Sequence, residues 1–402
     1  MQLINRPTYT QQIKPFIGKG IIKVLTGQRR VGKSCIMQQL MKVIQDERPL
    51  AHIIYINMEF EEFRMIRTDQ DLFEFLKDKM LPQVDNFLFI DEIQDIAGFE
   101  NVLRSLQAKE SCDIFCTGSN AKMLSGELAT YLSGRYMEFH IHSLSYSEFL
   151  LFHHLESNNQ SLMLYLSYGG MPYLSRLSLT DEMVFEYLRN VYSTILLKDV
   201  VKREGIRNVD FLETLVLYAA DNVGNLFSAN NISKFLKSQR TDISTTQVIS
   251  YLKALCNAFL IHKAGRMEIA GLKKFEVGEK YFFEDIGLRN CFSGFNLHRD
   301  IHKLMENAVY LHLLVLQYEV FVGKNGSQEV DFVGIKQGKR VYIQVTYLMP
   351  DEKTRVREFG NLMNIKDNYP KYVVSLDDFT KRSDVQGIQH VHLSDFLQSG
   401  DL

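Results

Sequence analysis

No apolar run in this chain approaches the ~18 residues that a membrane-spanning helix needs, and no apolar leader core opens it. Those absences predict a cytoplasmic protein with no membrane partner. The net charge is only -2, so no global field draws the chain onto nucleic acid or an anionic surface. Any nucleic-acid contact must come from a local patch. The five cysteines, Cys35, Cys112, Cys116, Cys256 and Cys291, are odd in number and lack zinc-type spacing, which reads as reduced thiols rather than a disulfide framework. The 11 histidines are scattered without metal spacing and read as surface or satisfied residues. No Ser, His or Cys combination forms a nucleophile set. Low-complexity segments and solenoid-period repeats are also missing. What is left is an ordinary globular chain of 402 residues, long enough for two to four domains.

Against these absences, one stretch carries chemistry. The apolar run Ile21-Ile22-Lys23-Val24-Leu25 stops at Gly27-Gln28-Arg29-Arg30-Val31-Gly32-Lys33-Ser34, and a helical pattern follows. The spacing Gly-x-x-x-x-Gly-Lys-Ser is that of a phosphate-binding loop. Gly27 and Gly32 let the backbone curl until successive N–H groups converge on phosphate oxygens, and the next helix aims its positive end at the same point. Lys33 can neutralise β- and γ-phosphate charge, while the Ser34 hydroxyl is placed to ligate Mg²⁺. Nucleotide contacts are therefore expected along Gly27, Gln28, Arg29, Arg30, Val31, Gly32, Lys33 and Ser34, and at Cys35 just beyond. Arg29 and Arg30 have two readings: one contacts nucleotide, or both pair with acidic residues such as Glu59.

Short apolar strands alternate with helical patterns up to about residue 141, as in a parallel sheet covered on both faces. The third strand ends in Phe87-Leu88-Phe89-Ile90-Asp91-Glu92. Asp91 at its carboxyl end can reach the Mg²⁺ shell, and Glu92 can polarise the attacking water as general base. The next strand ends in Cys116-Thr117-Gly118-Ser119-Asn120, where open α/β sheets bind ligands. Asn120 is expected to sense the γ-phosphate or the water; Ser119 or Asn120 can equally cap the following helix. Arg135, just before the last strand, is either an arginine finger, often supplied across a subunit boundary, or a structural ion pair.

These segments, with the strand ending Ile56-Asn57-Met58-Glu59-Phe60, the Leu132-Ser133-Gly134-Arg135-Tyr136 turn and the run His142 to Phe149, resemble the predicted ATPases of the AAA+ superclass, in the archaeal-type branch near the signal-transduction ATPases. The resemblance extends over essentially the whole chain and is most specific in its front half. It implies ATP as nucleotide, Lys33 and Ser34 as Walker A positions, Asp91 and Glu92 as Walker B positions, and Asn120 as the sensor. It also implies the fold class: α/β, a P-loop NTPase parallel sheet with a helical lid, a winged helix and a C-terminal α/β domain of restriction-endonuclease-like fold.

The domains expected on that basis are 1–150 (ATPase), 151–222 (helical lid and linker), 223–297 (winged helix) and 298–402 (nuclease-like). Apolar residues at three- and four-residue spacing make the second helical. Lys198, Asp199 and Arg203 within it read as a solvated helix face rather than a relay. In the third, two helices precede two strand-like runs, and the second helix would offer Thr245, Thr246, Gln247, Ser250 and Lys253 to a DNA groove. Between 224 and 300 there are 11 lysines and arginines against 7 aspartates and glutamates, a modest excess. The same module could serve a protein partner instead. In the last domain Glu306 and Asp331 occupy carboxylate positions of a nuclease-like site, but Gln344-Val345-Thr346 stands where Glu-x-Lys is expected. A neutral amide and a threonine there predict little nuclease chemistry.

The expected function is thus a Mg²⁺-dependent ATPase coupling nucleotide state to its downstream modules. Alternatives are an ATP-switched DNA-binding regulator and an ATP-gated nuclease. The partners are ATP, double-stranded DNA through the winged helix, or a protein, and oligomerisation decides whether Arg135 acts in trans.

Overall fold

The computed structural model describes residues 4–124, 132, 134–226, 228–238, 243–294, 296–349, 352–377 and 383–402. Ser133, which falls within a motif read from the sequence, lies outside them. The chain divides into two compact units, one up to Ile141 joined by Asn257–Phe259, the other His142–Cys256 with Leu260–Leu402. The expected boundaries at 222/223 and 297/298 do not separate compact units.

The first unit is built on a parallel sheet of β1 (Ile22–Thr26), β2 (His52–Asn57), β3 (Asn86–Asp91), β4 (Asp113–Gly118) and β5 (Tyr136–His140), in the order β2-β3-β4-β1-β5. Every neighbouring pair is parallel, which demands crossover connections. Helices α1 (Pro7–Ile13), α2 (Lys33–Glu47), α3 (Asp69–Lys77) and α4 (Phe99–Ala108) occur in this unit. Strands β1, β3 and β4 are buried along their whole length, which is why their middles read as apolar. Val24, Ile56, Leu88, Ile90, Leu103 and Ile114 belong to the core. Lys23 on β1 is fully buried in the sheet and meets Asp113 Oδ1 at 2.5 Å. Burial pulls the Lys23 pKa down, and Asp113 opposes that shift.

The strand order positions the site. Since β4 lies between β1 and β3, the carboxyl ends of these three strands are neighbours, and the loop after β1 opens beside the ends of β3 and β4.

The second unit begins with helices α5 (Tyr146–His153), α6 (Asn159–Tyr168), α7 (Asp181–Thr194) and α8 (Val209–Asp221), with a π-helical turn at Ile195–Lys202. Asp199 in that turn is buried and pairs with Arg203 at 3.0 Å, so this is not the solvated face its charges suggested. Next come α9 (Ala229–Ser238), α10 (Thr245–Asn257), β6 (Ile261–Glu268), β7 (Lys274–Phe283), α11 (Ile286–Ser293) and α12 (Leu297–Val315). The chain closes with β8 (Glu319–Asn325), β9 (Gln328–Lys336), β10 (Lys339–Val345), α13 (Glu352–Met363), β11 (Lys371–Ser375), β12 (Ser383–Val385), β13 (Ile388–His392) and α14 (Leu393–Phe396). Strands β6 to β13 form one mixed sheet in the order β12-β13-β11-β10-β9-β8-β6-β7.

That sheet corrects one expectation. The strands β6 and β7 do form an antiparallel ribbon, but β6 also pairs in parallel with β8, from Gly265 opposite Phe321 to Glu268 opposite Lys324. They are the edge of the C-terminal sheet rather than a free wing. Parallel pairing between segments some fifty residues apart leaves no local pattern to read.

Candidate nucleotide site

The phosphate loop connects β1 to α2. Gly32 is the N-cap of α2 and takes a left-handed conformation (φ 96°). Gly27 has φ 143°, and a Cβ there would lie 2.2 Å from the Ile141 carbonyl oxygen. Both positions therefore need glycine. The buried Arg6 guanidinium braces the loop from outside by donating to Val31 O at 2.9 Å. Gln28 is fully buried and donates through Nε2 to Phe259 O at 3.1 Å. Val31 is also fully buried, whereas Arg30 and Cys35 are exposed. Those four look inward to the fold or out to solvent, and the polar face of the site comes from Arg29, Lys33 and Ser34.

Lys33 is 4 % exposed, and its ammonium donates to the carbonyls of Gly27 (2.9 Å) and Gln28 (3.0 Å) while standing 4.0 Å from Glu92 Oε1. Arg29 Nη1 is 3.2 Å from Glu59 Oε1, and Nη2 is 4.0 Å from Glu92 Oε2. Arg29 is thus paired with Glu59. The same guanidinium also faces the catalytic candidate.

Glu92 follows β3 in a left-handed conformation (φ 56°), uncommon for a residue with a side chain and frequent where function imposes it. Its Oε2 accepts from Ser119 Oγ at 3.1 Å and from Gln94 Nε2. Burial opposes ionisation of this carboxyl, but the charges of Lys33 and Arg29 and the two hydrogen bonds outweigh it and hold its pKa below the ordinary carboxylate range. Asp91 is also buried; it accepts from Thr117 Oγ1 at 2.5 Å and from Tyr55 Oη at 3.3 Å. Thr117 Oγ1 in turn accepts from the Glu92 N–H at 2.8 Å, so one β4 hydroxyl fixes both acids.

Asn120 is buried, and its Oδ1 accepts from the Lys122 N–H at 2.7 Å, the capping geometry that the sequence left open. Ser119, read only as a cap, holds the general-base candidate instead. Arg135 is not brought to this site within the chain. It is exposed and directly precedes β5, whose first residue Tyr136 lies opposite Ile22 at the start of β1, and its carbonyl accepts from the Ile22 N–H. The phosphate loop leaves the other end of that strand. Five strand residues at roughly 3.3 Å each separate them.

Sequence reasoning missed Thr117, Ser119, Gln94 and Tyr55, because their roles depend on which strands are neighbours. The signal that could have found the first two is their position at the carboxyl end of a strand next to Asp91.

Residues 19–150 match the AAA domain family. An uncharacterized protein of Haemophilus influenzae is 35% identical over 404 residues, spanning 98% of each chain. The chain belongs to one family with this Haemophilus influenzae protein, and its residues 19–150 carry the AAA domain. An uncharacterized protein of Methanocaldococcus jannaschii is 30% identical over 356 residues, 84% of this chain and 77% of its own. Residues 159–299 match a domain family of unknown function, DUF8612. Among solved structures, RuvB from Thermotoga maritima aligns at 13% identity over 69% of this chain and 92% of its own (TM-score 0.35). AMPPCP-bound DnaA from Aquifex aeolicus aligns at 14% over 63% and 92% (TM-score 0.32). Both scores fall below the level at which shared architecture can be read from them. No helix among the described residues of this AAA-domain protein is long and apolar enough to cross a membrane.

A second polar cluster lies in the C-terminal unit. Lys280 on β7 is 3 % exposed and approaches Glu329 Oε1 (3.0 Å), Glu306 Oε2 (3.5 Å) and Asp331 Oδ1 (3.7 Å). Asp331 Oδ2 also accepts from the Val345 N–H at 2.8 Å. Burial, with Asp331 nearby, pushes the Glu306 carboxyl up to about 8 despite Lys280. The Lys280 pKa is raised, because the three carboxylates outweigh its burial. Gln344 is buried, and its Oε1 has no hydrogen-bond partner. Sequence reasoning sought a lysine at Thr346 and missed Lys280, which arrives from a strand more than sixty residues earlier.

Proposed function

We propose that this AAA-domain protein is a Mg²⁺-dependent ATPase whose nucleotide state sets the disposition of its downstream segments. The observation that carries the proposal is Glu92: a buried carboxylate held ionised by Lys33 and Arg29, fixed by Ser119 and Gln94, one residue from Asp91 and beside a phosphate loop. The residues present suit the group the loop implies, because the glycines clear a path for phosphate and the hydroxyl of Ser34 and carboxylate of Asp91 are hard oxygen donors. Those two would hold Mg²⁺, which neutralises charge on the phosphate oxygens when bound. Glu92 orients the attacking water and takes its proton. Its low pKa makes it a weak base while Lys33 and Arg29 face it. When Lys33 engages phosphate its hold on Glu92 relaxes, and the carboxylate gains basicity as the substrate arrives.

The test is steady-state phosphate release from ATP with Mg²⁺. Lys33→Ala is expected to abolish nucleotide binding, whereas Glu92→Gln keeps binding and loses at least 10²-fold in turnover. Rapid turnover in Glu92→Gln would remove Glu92 from the role of base.

A second reading concerns nucleic acid and rests on two observations. Thr246, Gln247, Ser250 and Lys253 are exposed along α10, as a groove-reading helix requires, and this region carries the local basic excess. Separately, Lys280 supplies beside Asp331 and Glu306 the positive charge that Thr346 lacks. Double-stranded DNA added to the ATPase assay separates the partner classes: stimulated turnover supports a nucleic-acid partner, and turnover indifferent to it points to a protein. Metal-dependent nicking of plasmid, lost in Asp331→Ala, would establish the nuclease.

A further inference from the structure

Glu284 directly follows β7 and is 0% exposed. A carboxylate buried so fully is costly unless cations or several hydrogen bonds meet it. Two imidazoles do so. His142 Nδ1 lies 3.1 Å from each carboxylate oxygen, and His262 Nε2 on β6 contacts Oε2. The rings stand 5.9 Å apart and tilted by 53°, so both nitrogens converge on Glu284 without stacking. The three donor atoms lie within 4.8 Å of one another. The acid is fixed from behind: the Ser143 N–H donates to Oε1 at 2.9 Å, the Ser143 hydroxyl donates to Glu284 O at 2.8 Å, and the Glu284 N–H donates to Leu260 O at 3.1 Å. The next residue, Asp285, is also buried and is satisfied separately, by the N–H groups of Gly170 (2.8 Å) and Leu288 (2.9 Å). Glu284 therefore has the imidazoles as its own counterparts.

We propose that His142, His262 and Glu284 form a zinc site. Two imidazole nitrogens and one carboxylate are a recognised set of ligands for Zn²⁺. Hard cations such as Mg²⁺ and Ca²⁺ prefer oxygen-only shells and are disfavoured. Zn–N and Zn–O bonds of about 2.0–2.2 Å in a tetrahedron set ligand atoms about 3.3–3.5 Å apart. The His142 nitrogen is already near that distance from both oxygens. The His262 side chain is the most exposed of the three at 16%, and a small outward turn of its ring makes room for the ion. The backbone grip of Ser143 on Glu284 is the outer-shell support that such sites use to orient a ligand. The ion would join three separate stretches of the C-terminal unit: the segment entering it at His142, β6, and the turn after β7. That is a structural tie.

The test uses full-length protein stripped with chelator and titrated with Zn²⁺ by calorimetry. One ion per chain is expected in the wild type, with affinity falling at least tenfold in His262→Ala and in Glu284→Gln. ATP turnover, whose residues lie elsewhere, reports whether each variant is folded. Cobalt substitution of the wild type gives a readout independent of the variants: visible bands of four-coordinate Co²⁺ without thiolate charge-transfer absorption are expected. The proposal is overturned if the wild type binds no zinc. It is equally overturned if binding is undiminished in folded variants, or if thiolate absorption appears and places the ion on cysteines such as the exposed Cys35.

Discussion

The roles of individual side chains are set by the charges around them. Arg29 faces both Glu59 and Glu92, so its loss should act through Glu92 as well as through nucleotide contact. A carboxyl whose pKa is depressed in the folded state adds stability above its unfolded pKa, and that stability is lost as pH falls through the folded value. In Arg29→Gln the depressing charge is removed. The acid limb of kcat should move to higher pH, measured as a pH profile at saturating ATP. Glu306 has the opposite sign. Its pKa is raised to about 8, so the folded state holds the proton more tightly, and folding is penalised as pH climbs from the unfolded pKa toward 8. Glu306→Gln should therefore raise the melting temperature at pH 9 by several degrees and change it little at pH 5; equal effects at both would show that the group does not titrate with folding. The loop and the acids at 91 and 92 were legible in the sequence because each is a contiguous pattern with one meaning. Ser119 was misread because its partner lies 27 residues away across two strands. The histidines at 142 and 262 were set aside because no spacing links them.

At the scale of elements, a parallel sheet was readable from unbroken apolar strands, but which end of a strand faces the site was applied unevenly. The rule that ligands gather at carboxyl ends points to Asp91, Glu92 and Asn120. Applied to Arg135 it would have excluded a role within the chain, since this arginine precedes its strand. The close passage of the loop beneath the residue after β5 yields a further expectation. Gly27→Ala places a methyl 2.2 Å from Ile141 O at a φ that side chains avoid. It should cost roughly 2 kcal/mol or more, seen as a lower urea midpoint, together with weakened nucleotide binding.

For the whole molecule, the informative departure is the sheet that runs from β7 to β12 without respecting the expected boundary near 297. Sequence patterns show strands but not partners, and parallel pairing of β6 with β8 joins segments that look like separate modules. A fragment of residues 298–402 would carry β8 with one side unpaired, and Val320, Phe321 and Val322 along it are buried in the intact protein. Such an edge recruits further strands. The fragment should self-associate on gel filtration, and adding β6 and β7 in a fragment begun near residue 243 should suppress this. A monodisperse 298–402 fragment would show that the pairing is dispensable.

The same pairing bears on heredity. Gene fusions and losses tend to leave intact proteins when they cut where few contacts cross, in exposed linkers. Here a cut between α11 and α12 splits a sheet. The segment beginning at residue 298 therefore cannot be traded among genomes as a cassette; it must travel with the ribbon before it, and lineages that shed one should shed both.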